Sequence, residues 1–378
     1  MNQRKYWVGL LLPVALVCTC NIAAQSAHAA TPLPLGSLTN VTSVTCPSGV
    51  AQGATCKHFT VTGCKTASGA ALPNLGVTIA ITTVSSPKGT IILQAGGGGT
   101  SIFGTNSYNF DFPDYYVGQG YNVVQTQYDT GDGDGWQSND SGVLHEACRP
   151  ATVFQYIYNN TAAHKAGTAF CGQGISGGGA TFAYALAHYA NNISGHTNET
   201  QQYLFDYVLM ASGPSVNRLD VACDPSQVYN NANIVNCGIT SYANSSLGSP
   251  VYGFGAGNPV NKWEGTSTCG SGSASQTDIN TWAGDSIIST GPNAHTGVFS
   301  YGATNVSFYF CGVTNNNESL GLGWFLTQQI MPLNKTGQGL APVNCFTQCT
   351  GESVWSDSNA VNQTKSDMLK YCVLNQHT

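Results

Sequence analysis

The most constraining stretch of this sequence is Gly174-Ile175-Ser176-Gly177-Gly178, which has the pattern G-x-S-x-G. An apolar segment at residues 168–170 suits a buried strand before it, and the alanine-rich residues 181–189 predict a helix after it. A strand, a sharp turn and a helix in this order present the serine in strained geometry, and flanking glycines let the chain segments pass closely. The pattern predicts a nucleophile elbow at Ser176, against the alternative of an ordinary serine in a glycine-rich turn.

Further strands and helices are predicted on both sides of this turn, because apolar and β-branched runs alternate with turn residues and with helical periodicity. The strands lie at residues 57–62, 76–84, 90–95, 121–127, 207–211 and 305–312, and from residue 343 onward; the helices lie at residues 143–160, 320–331 and 360–371. Strands and helices in this order predict the α/β class, with a doubly wound, mostly parallel sheet.

The N-terminus predicts export. Arg4 and Lys5 precede an apolar run at residues 8–17, and Ala27-His28-Ala29 matches an A-x-A cleavage site. The apolar run is too short to span a bilayer. We expect residues 1–29 to be a signal peptide, and the protein to be secreted, extracellular or periplasmic. Residues 30–378 are predicted to form one domain, with the irregular stretch at about 215–298 as a cap-like insertion.

The cysteines fit an oxidising compartment. The chain has 14, and subtracting Cys18 and Cys20 of the signal peptide leaves twelve, which predicts as many as six disulfides of undetermined connectivity. Their spacing does not suit zinc. Acidic residues (18) outnumber basic ones (12), which argues against binding to nucleic acid. We predict no cofactor and no metal; the sequence leaves the oligomeric state open.

Two loops carry alternative interpretations. The glycines at 96–99 follow the buried strand at 90–95, and such a run frees backbone N–H groups to converge on an anion. A phosphate loop would need a following Gly-Lys-Ser/Thr, so an oxyanion loop is favoured and a plain hinge remains the alternative. The three aspartates at 129, 132 and 134 suggest calcium, but their spacing departs from the calcium-loop pattern and favours a turn.

The chain resembles the α/β-hydrolase fold over nearly all its mature length, and more narrowly a group of secreted bacterial α/β-hydrolases. The resemblance rests on the glycine run, on residues 170–179, and on Ser212-Gly213-Pro214 followed by Arg218-Leu219-Asp220 and Cys223. It implies a carboxylic ester hydrolase that forms an acyl-enzyme on Ser176, acting on a small-molecule or polymeric ester. The N–H of Gly177, with one from Gly97 or Gly98, would form the oxyanion hole.

The resemblance also implies an acid and then a histidine after the serine. After the strand at 305–312 the only carboxylate within reach is Glu318, and the position expected to hold the histidine holds Glu352. A base could instead come from the cap-like insertion, as His295 or His196. Alternatively Glu352 itself activates Ser176, which would give an acid-active Ser/Glu hydrolase, since a carboxylate accepts a hydroxyl proton only with a raised pKa.

A non-catalytic function is the remaining alternative. If neither base operates, the chain is a degenerate hydrolase that keeps the fold as a binding protein. Aromatic side chains of the insertion would then form the ligand surface: Tyr252, Phe254, Trp263 and Trp282.

Overall fold

The computed structural model describes residues 33–105, 110–131, 134–138, 141–197, 202–213, 219, 223, 259–287, 303–311, 340–349 and 353–374. Its strands are β1 (Ser37–Val44), β2 (Thr55–Thr62), β3 (Leu75–Thr82), β4 (Gly89–Gln94), β5 (Asn122–Tyr128), β6 (Ala169–Ile175), β7 (His196–Thr197), β8 (Gln202–Tyr203), β9 (Tyr207–Ala211), β10 (Asn305–Cys311) and β11 (Leu340–Phe346). Its helices are α1 (Phe112–Gly118), α2 (Val143–Glu146), α3 (Cys148–Asn159), α4 (Gly177–Tyr189), α5 (Pro259–Trp263), α6 (Gln276–Asp285) and α7 (Ser358–Tyr371).

One large sheet runs through the described residues in the order β1-β2-β3-β5-β4-β6-β9-β10-β11. In this sheet β5, β4, β6, β9, β10 and β11 pair in parallel, whereas β1, β2, β3 and β5 pair antiparallel. The strand β6 lies inside the parallel part, between β4 and β9, and all seven of its residues are buried. The predicted mostly parallel sheet is confirmed, with β6 covered on both sides and both faces.

Helices cover both faces of the sheet. Ile92 and Val124 belong to a core that includes residues of α3 and α4, whereas Ile91 and Val123 belong to a second core with residues of α1 and α7. Neighbouring residues of one strand enter different cores because successive side chains point to opposite faces. This three-layer arrangement confirms the predicted α/β class, and it buries β6 while leaving its carboxyl end to continue into a turn.

Some predicted elements differ from the structure. The helix predicted over 143–160 is divided into α2 and α3, which meet at Ala147. The last strand begins at Leu340 rather than at residue 343. Within the stretch predicted to be irregular, α5 and α6 are helices, and Ser275 and Asp278 form a capping box at the start of α6. The helix predicted at 320–331 lies outside the described residues.

Five disulfides join described residues: Cys46–Cys56, Cys64–Cys148, Cys171–Cys372, Cys223–Cys269 and Cys311–Cys349. Cys345 is disulfide-bonded as well. The prediction of a disulfide-rich chain is confirmed. The bond between Cys171 and Cys372 ties the buried strand β6 to the end of α7, across 201 residues of chain. Among the described helices, none combines the length and apolarity needed to cross a membrane.

Candidate active site at the Ser176 turn

Ser176 occupies the turn between β6, which ends at Ile175, and α4, which begins at Gly177. Its backbone has φ 52° and ψ −129°, a region that residues with a side chain rarely adopt. The side chain of Ser176 is partly exposed, although its neighbours on both sides are buried. The predicted strand–turn–helix is therefore confirmed, and the strain falls on the serine itself.

The glycines of the motif are required by backbone contacts. An ideal Cβ built on Gly174 would lie 2.3 Å from the carbonyl oxygen of Gly178, and one built on Gly178 would lie 2.2 Å from that of Gln94. Distances this short exclude any side chain at either position. The G-x-S-x-G pattern thus reflects how closely β6, the start of α4 and the end of β4 pack.

The glycine run after β4 lies beside the serine. A Cβ on Gly96 would lie 3.2 Å from Cβ and 3.5 Å from Oγ of Ser176, and Gly97 has φ 63°. A Cβ on Gly177 would lie 1.9 Å from the carbonyl oxygen of Gly97. Of the two glycines predicted as oxyanion-hole donors, Gly97 is therefore the one in contact with the turn. Gly98 instead packs on Asp134, whose carbonyl oxygen would lie 1.7 Å from its Cβ.

The glycine run is held from its far side. The N–H of Trp136 donates to the carbonyl of Gly98 at 3.1 Å, and the N–H of Tyr128 donates to that of Gly99 at 2.8 Å. Asp134 forms an ion pair with Lys262 of α5 at 2.8 Å, with both side chains partly exposed. The aspartate-containing loop therefore supports the glycine run, in agreement with its interpretation as a turn.

The end of β9 supports the serine from the opposite side. The N–H of Ser176 donates to the carbonyl of Ala211 at 2.8 Å, and a Cβ on Gly213 would lie 2.2 Å from the carbonyl oxygen of Ser176. Between them, Ser212 accepts a 2.7 Å hydrogen bond at Oγ from the N–H of Val354. Sequence reasoning missed this contact, and its only signal was the Ser-Gly-Pro sequence after a strand.

Two described histidines lie at the amino end of β4 and β6, whereas Ser176 follows the carboxyl end of β6. His164 contacts Thr90 Oγ1 at 3.1 Å, and His196 lies 3.3 Å from Asp206, which accepts the N–H of Phe170. Phe170 and Ser176 are six residues apart along β6, about 20 Å at the rise of a strand. The interpretation of His196 as a base for Ser176 is therefore wrong. Burial lowers the pKa of His164 to about 4, with a further contribution from the neighbouring imidazole of His196.

Other described histidines are also engaged elsewhere. His188 lies in the last turn of α4, where its ring stacks on Tyr184, and burial lowers its pKa to about 4. His58 lies on β2 and contacts Asp129 at 3.3 Å. Within the described parts of the chain, no hydrogen bond joins Ser176 Oγ to a histidine. The predicted residues Glu318, Glu352 and His295 lie outside the described residues.

A group of buried carboxyls lies beside α4, away from the turn. Glu264 accepts the N–H of Val143 at 3.1 Å, and burial together with Asp285 raises the pKa of Glu264 well above its usual value. Neither this group nor any other set of His, Cys, Asp and Glu in the described ranges has an arrangement that holds a metal ion.

No protein-family model matches the sequence, and no curated protein matches it. The chain is similar to the structure of Candida antarctica lipase A, with 10% identity, a TM-score of 0.48, and coverage of 84% of this chain and 77% of that one. It is similar to esterase B from Lactobacillus rhamnosis, with 11% identity, a TM-score of 0.42, and coverage of 79% and 81%.

A third similar structure is acetyl xylan esterase 1 from Thermoanaerobacterium, with 12% identity, a TM-score of 0.41, and coverage of 88% of both chains. The architecture of this chain stands on its own features, which are the strand order, the parallel partners on both sides of β6 and the helices on both faces. With a strained serine between β6 and α4 and a glycine loop against it, the chain has the α/β-hydrolase fold.

Proposed function

We propose that this protein is a serine-dependent carboxylic ester hydrolase that forms an acyl-enzyme on Ser176. The observation that carries the proposal is the strained turn at Ser176, where a partly exposed serine precedes the first residue of α4 and faces the glycine run after β4. Strain of this kind persists where the surrounding structure enforces it, and it is concentrated at functional sites. An ordinary turn would place glycine, not serine, at this backbone conformation.

The neighbouring backbone suits the chemistry of acyl transfer. As a base takes the hydroxyl proton, Ser176 Oγ attacks the ester carbonyl carbon, and the carbonyl electron pair moves onto its oxygen. The N–H groups of Gly177 and Gly97 would stabilise this oxyanion, helped by the positive end of the α4 dipole. Collapse expels the alcohol, which receives the proton from the base. Water then repeats the sequence and releases the carboxylic acid.

The identity of the base stays a prediction. Glu352 and His295 remain the two candidates, and Glu318 remains the candidate acid. The hydrogen bond from Val354 to Ser212 supports Glu352, because it brings the chain just after Glu352 to the residue that precedes Gly213. Gly213 in turn contacts the backbone of Ser176.

The described disulfides support the proposed secretion, since such bonds persist in oxidising compartments. We propose that the signal peptide ends at residue 29. We also propose that the stretch at about 215–298, which includes α5 and α6, caps the substrate site. A small-molecule or polymeric ester remains the proposed substrate.

A fluorophosphonate probe tests the proposal, because it reacts covalently with activated serines. We expect stoichiometric labelling of the purified mature protein at Ser176, and hydrolysis of p-nitrophenyl acetate and butyrate. Ser176→Ala should remove both, whereas Thr152→Val, which removes a buried hydroxyl on α3, should keep both. A wild-type protein that is neither labelled nor active from acid to neutral pH would contradict the proposal and favour a binding protein.

The pH profile separates the two candidate bases. A free imidazole titrates near pH 6.5, so activity through His295 should fall below about that pH. Activity through Glu352 should persist in acid and fall only as that carboxylate becomes protonated. Glu352→Gln should then abolish hydrolysis while His295→Ala leaves it near the wild-type rate, and the reverse result would assign the histidine.

A further inference from the structure

Ser212 has an unusual backbone for a serine. It follows β9 directly, its side chain is 1% exposed, and its φ is 47°. Among the described non-glycine residues only Asn40 and Ser176 share a positive φ with it. Glycine would adopt this conformation at lower cost. A serine at such a position therefore indicates that its hydroxyl makes an interaction that glycine could not provide.

The contacts of Ser212 connect three parts of the candidate site. Its N–H donates to the carbonyl of Tyr309 on β10 at 2.9 Å, which holds the residue in place. Its Oγ accepts the N–H of Val354 at 2.7 Å. The next residue, Gly213, is pressed against the carbonyl and Cα of Ser176. One hydroxyl therefore lies between the serine turn and the segment after β11.

The segment that Ser212 contacts, residues 353–357, is well ordered by its own interactions. Val354 and Trp355 are fully buried, and the indole N–H of Trp355 donates to Thr364 Oγ1 of α7 at 2.7 Å. Asp357 caps α7 by accepting the N–H of Asn359 at 2.8 Å. The segment follows the last strand, and the hydrogen bond at Val354 joins it to Ser212, the residue before Gly213, which contacts Ser176.

We infer that Ser212 is a positioning residue, whose hydroxyl holds the segment 353–357 in register with the nucleophile turn. The inference rests on the proposed function of Ser176. Loss of the hydroxyl leaves the buried N–H of Val354 without its acceptor, and a buried donor without a partner is costly. The segment then shifts so that this N–H reaches another acceptor, and groups that must meet Ser176 Oγ move with it. Small displacements of this kind lower turnover strongly.

Four variants separate positioning from stability. Ser212→Ala and Ser212→Gly both remove the acceptor, but glycine also relieves the positive φ. Ser212→Thr keeps the hydroxyl, but a β-branched side chain is disfavoured at that φ. Thr152→Val is the matched control, because the buried hydroxyl of Thr152 on α3 accepts the N–H of Gly36 at 2.9 Å.

For p-nitrophenyl butyrate we expect kcat to fall about tenfold or more in Ser212→Ala and Ser212→Gly, with KM within about threefold of the wild type. The rate of fluorophosphonate labelling should fall by a similar factor. Ser212→Gly should unfold at a higher temperature than Ser212→Ala without regaining kcat. Ser212→Thr should regain kcat while remaining less stable than the wild type.

Several results would overturn the inference. If the wild type is active and kcat is unchanged in Ser212→Ala, Ser176 remains the nucleophile and positioning by Ser212 is rejected. The same holds if kcat is higher in the more stable Ser212→Gly than in Ser212→Ala, so that the loss of kcat follows the loss of stability. An equal loss in Thr152→Val would do the same. If Ser212→Thr does not fold, the comparison of kcat and stability between Ser212→Ala and Ser212→Gly decides. A wild type that is neither labelled nor active would reject the proposed function, and the inference with it.

Discussion

The backbone of Gly177 lies directly against that of Gly97, so that a Cβ on Gly177 would overlap the Gly97 carbonyl oxygen at 1.9 Å. The first residue of α4 and the glycine run after β4 are therefore packed backbone to backbone. Such a contact brings the backbones of two distant segments together beside Ser176. It supports the choice of Gly177 and Gly97 as the proposed oxyanion-hole donors.

This contact predicts a large effect of Gly177→Ala. The added methyl group must displace the glycine run, and we expect a loss of at least about 2 kcal/mol in the free energy of unfolding, in the range of overpacked sites. Fluorophosphonate labelling of Ser176 should also be lost. Urea denaturation and the labelling assay provide the two measurements.

Gly118 provides the control for that substitution. It ends α1, and a Cβ there would meet nothing within 4 Å. Gly118→Ala should therefore be neutral or stabilise the protein by up to about 1 kcal/mol, because alanine favours a helix. Equal stabilities of the two alanine variants would contradict the contact between Gly177 and Gly97.

The strain at Ser176 predicts that activity and stability oppose each other at this position. Ser176→Ala keeps the cost of φ 52°, whereas Ser176→Gly removes it. Both variants should be inactive, but the glycine variant should be more stable than the alanine variant by about 1–2 kcal/mol. Urea denaturation at neutral pH measures the difference. Alanine and glycine variants of equal stability would mean that the turn is unstrained.

The disulfides predict an order of stabilities. Cys171–Cys372 closes 201 residues of chain and Cys46–Cys56 closes 10. A crosslink stabilises by restricting the unfolded chain, and by more for a longer loop, so replacing the first pair by alanine should cost about 3–5 kcal/mol and the second about 2–3 kcal/mol. Urea denaturation of the two double variants without reductant tests this order, and the reverse order would contradict the loop-closure explanation.

Buried histidines predict that stability falls in acid. The pKa of His164 is lowered to about 4 by burial, whereas an unfolded histidine titrates near 6.5. Between these values the unfolded chain binds the proton and the folded chain does not, so the free energy of unfolding decreases as pH falls from about 6.5 to about 4. His188 and His196, with pKa values also lowered to about 4 by burial, contribute in the same direction.

His164→Phe tests this dependence, because phenylalanine keeps a ring beside Tyr158 and does not titrate. Urea denaturation at several pH values should show a smaller loss of stability between about pH 6.5 and pH 4 than in the wild type. Gly118→Ala, which introduces no titratable group, is the control and should keep the wild-type dependence. An unchanged slope in His164→Phe would contradict a buried neutral His164.

Local sequence was enough to predict the centre of the fold. The apolar run of β6, the glycines around Ser176 and the alanine-rich α4 are contiguous, so strand, turn and helix follow from neighbouring residues alone. The parallel sheet followed from the alternation of strands and helices. Predictions were weaker where a pattern was interrupted, as at Ala147, where one predicted helix is divided into α2 and α3.

Contacts between distant segments were decided by the tertiary structure. The even number of cysteines predicted disulfides, but the pairing of Cys171 with Cys372 depends on α7 lying beside β6. His196 lies beside Asp206 at the amino end of β6, and no local pattern encodes this contact.

Sequence by itself determined that a serine would lie on a strained turn inside a mostly parallel sheet, because periodicity and glycine placement act between neighbours in the chain. Only the tertiary structure decided what surrounds that serine. Gly97, Ser212 and Val354 come from three separate stretches, and their meeting depends on how β4, β9 and the segment after β11 pack together. Packing of this kind is a property of the whole core, and it is not contained in any single stretch of sequence.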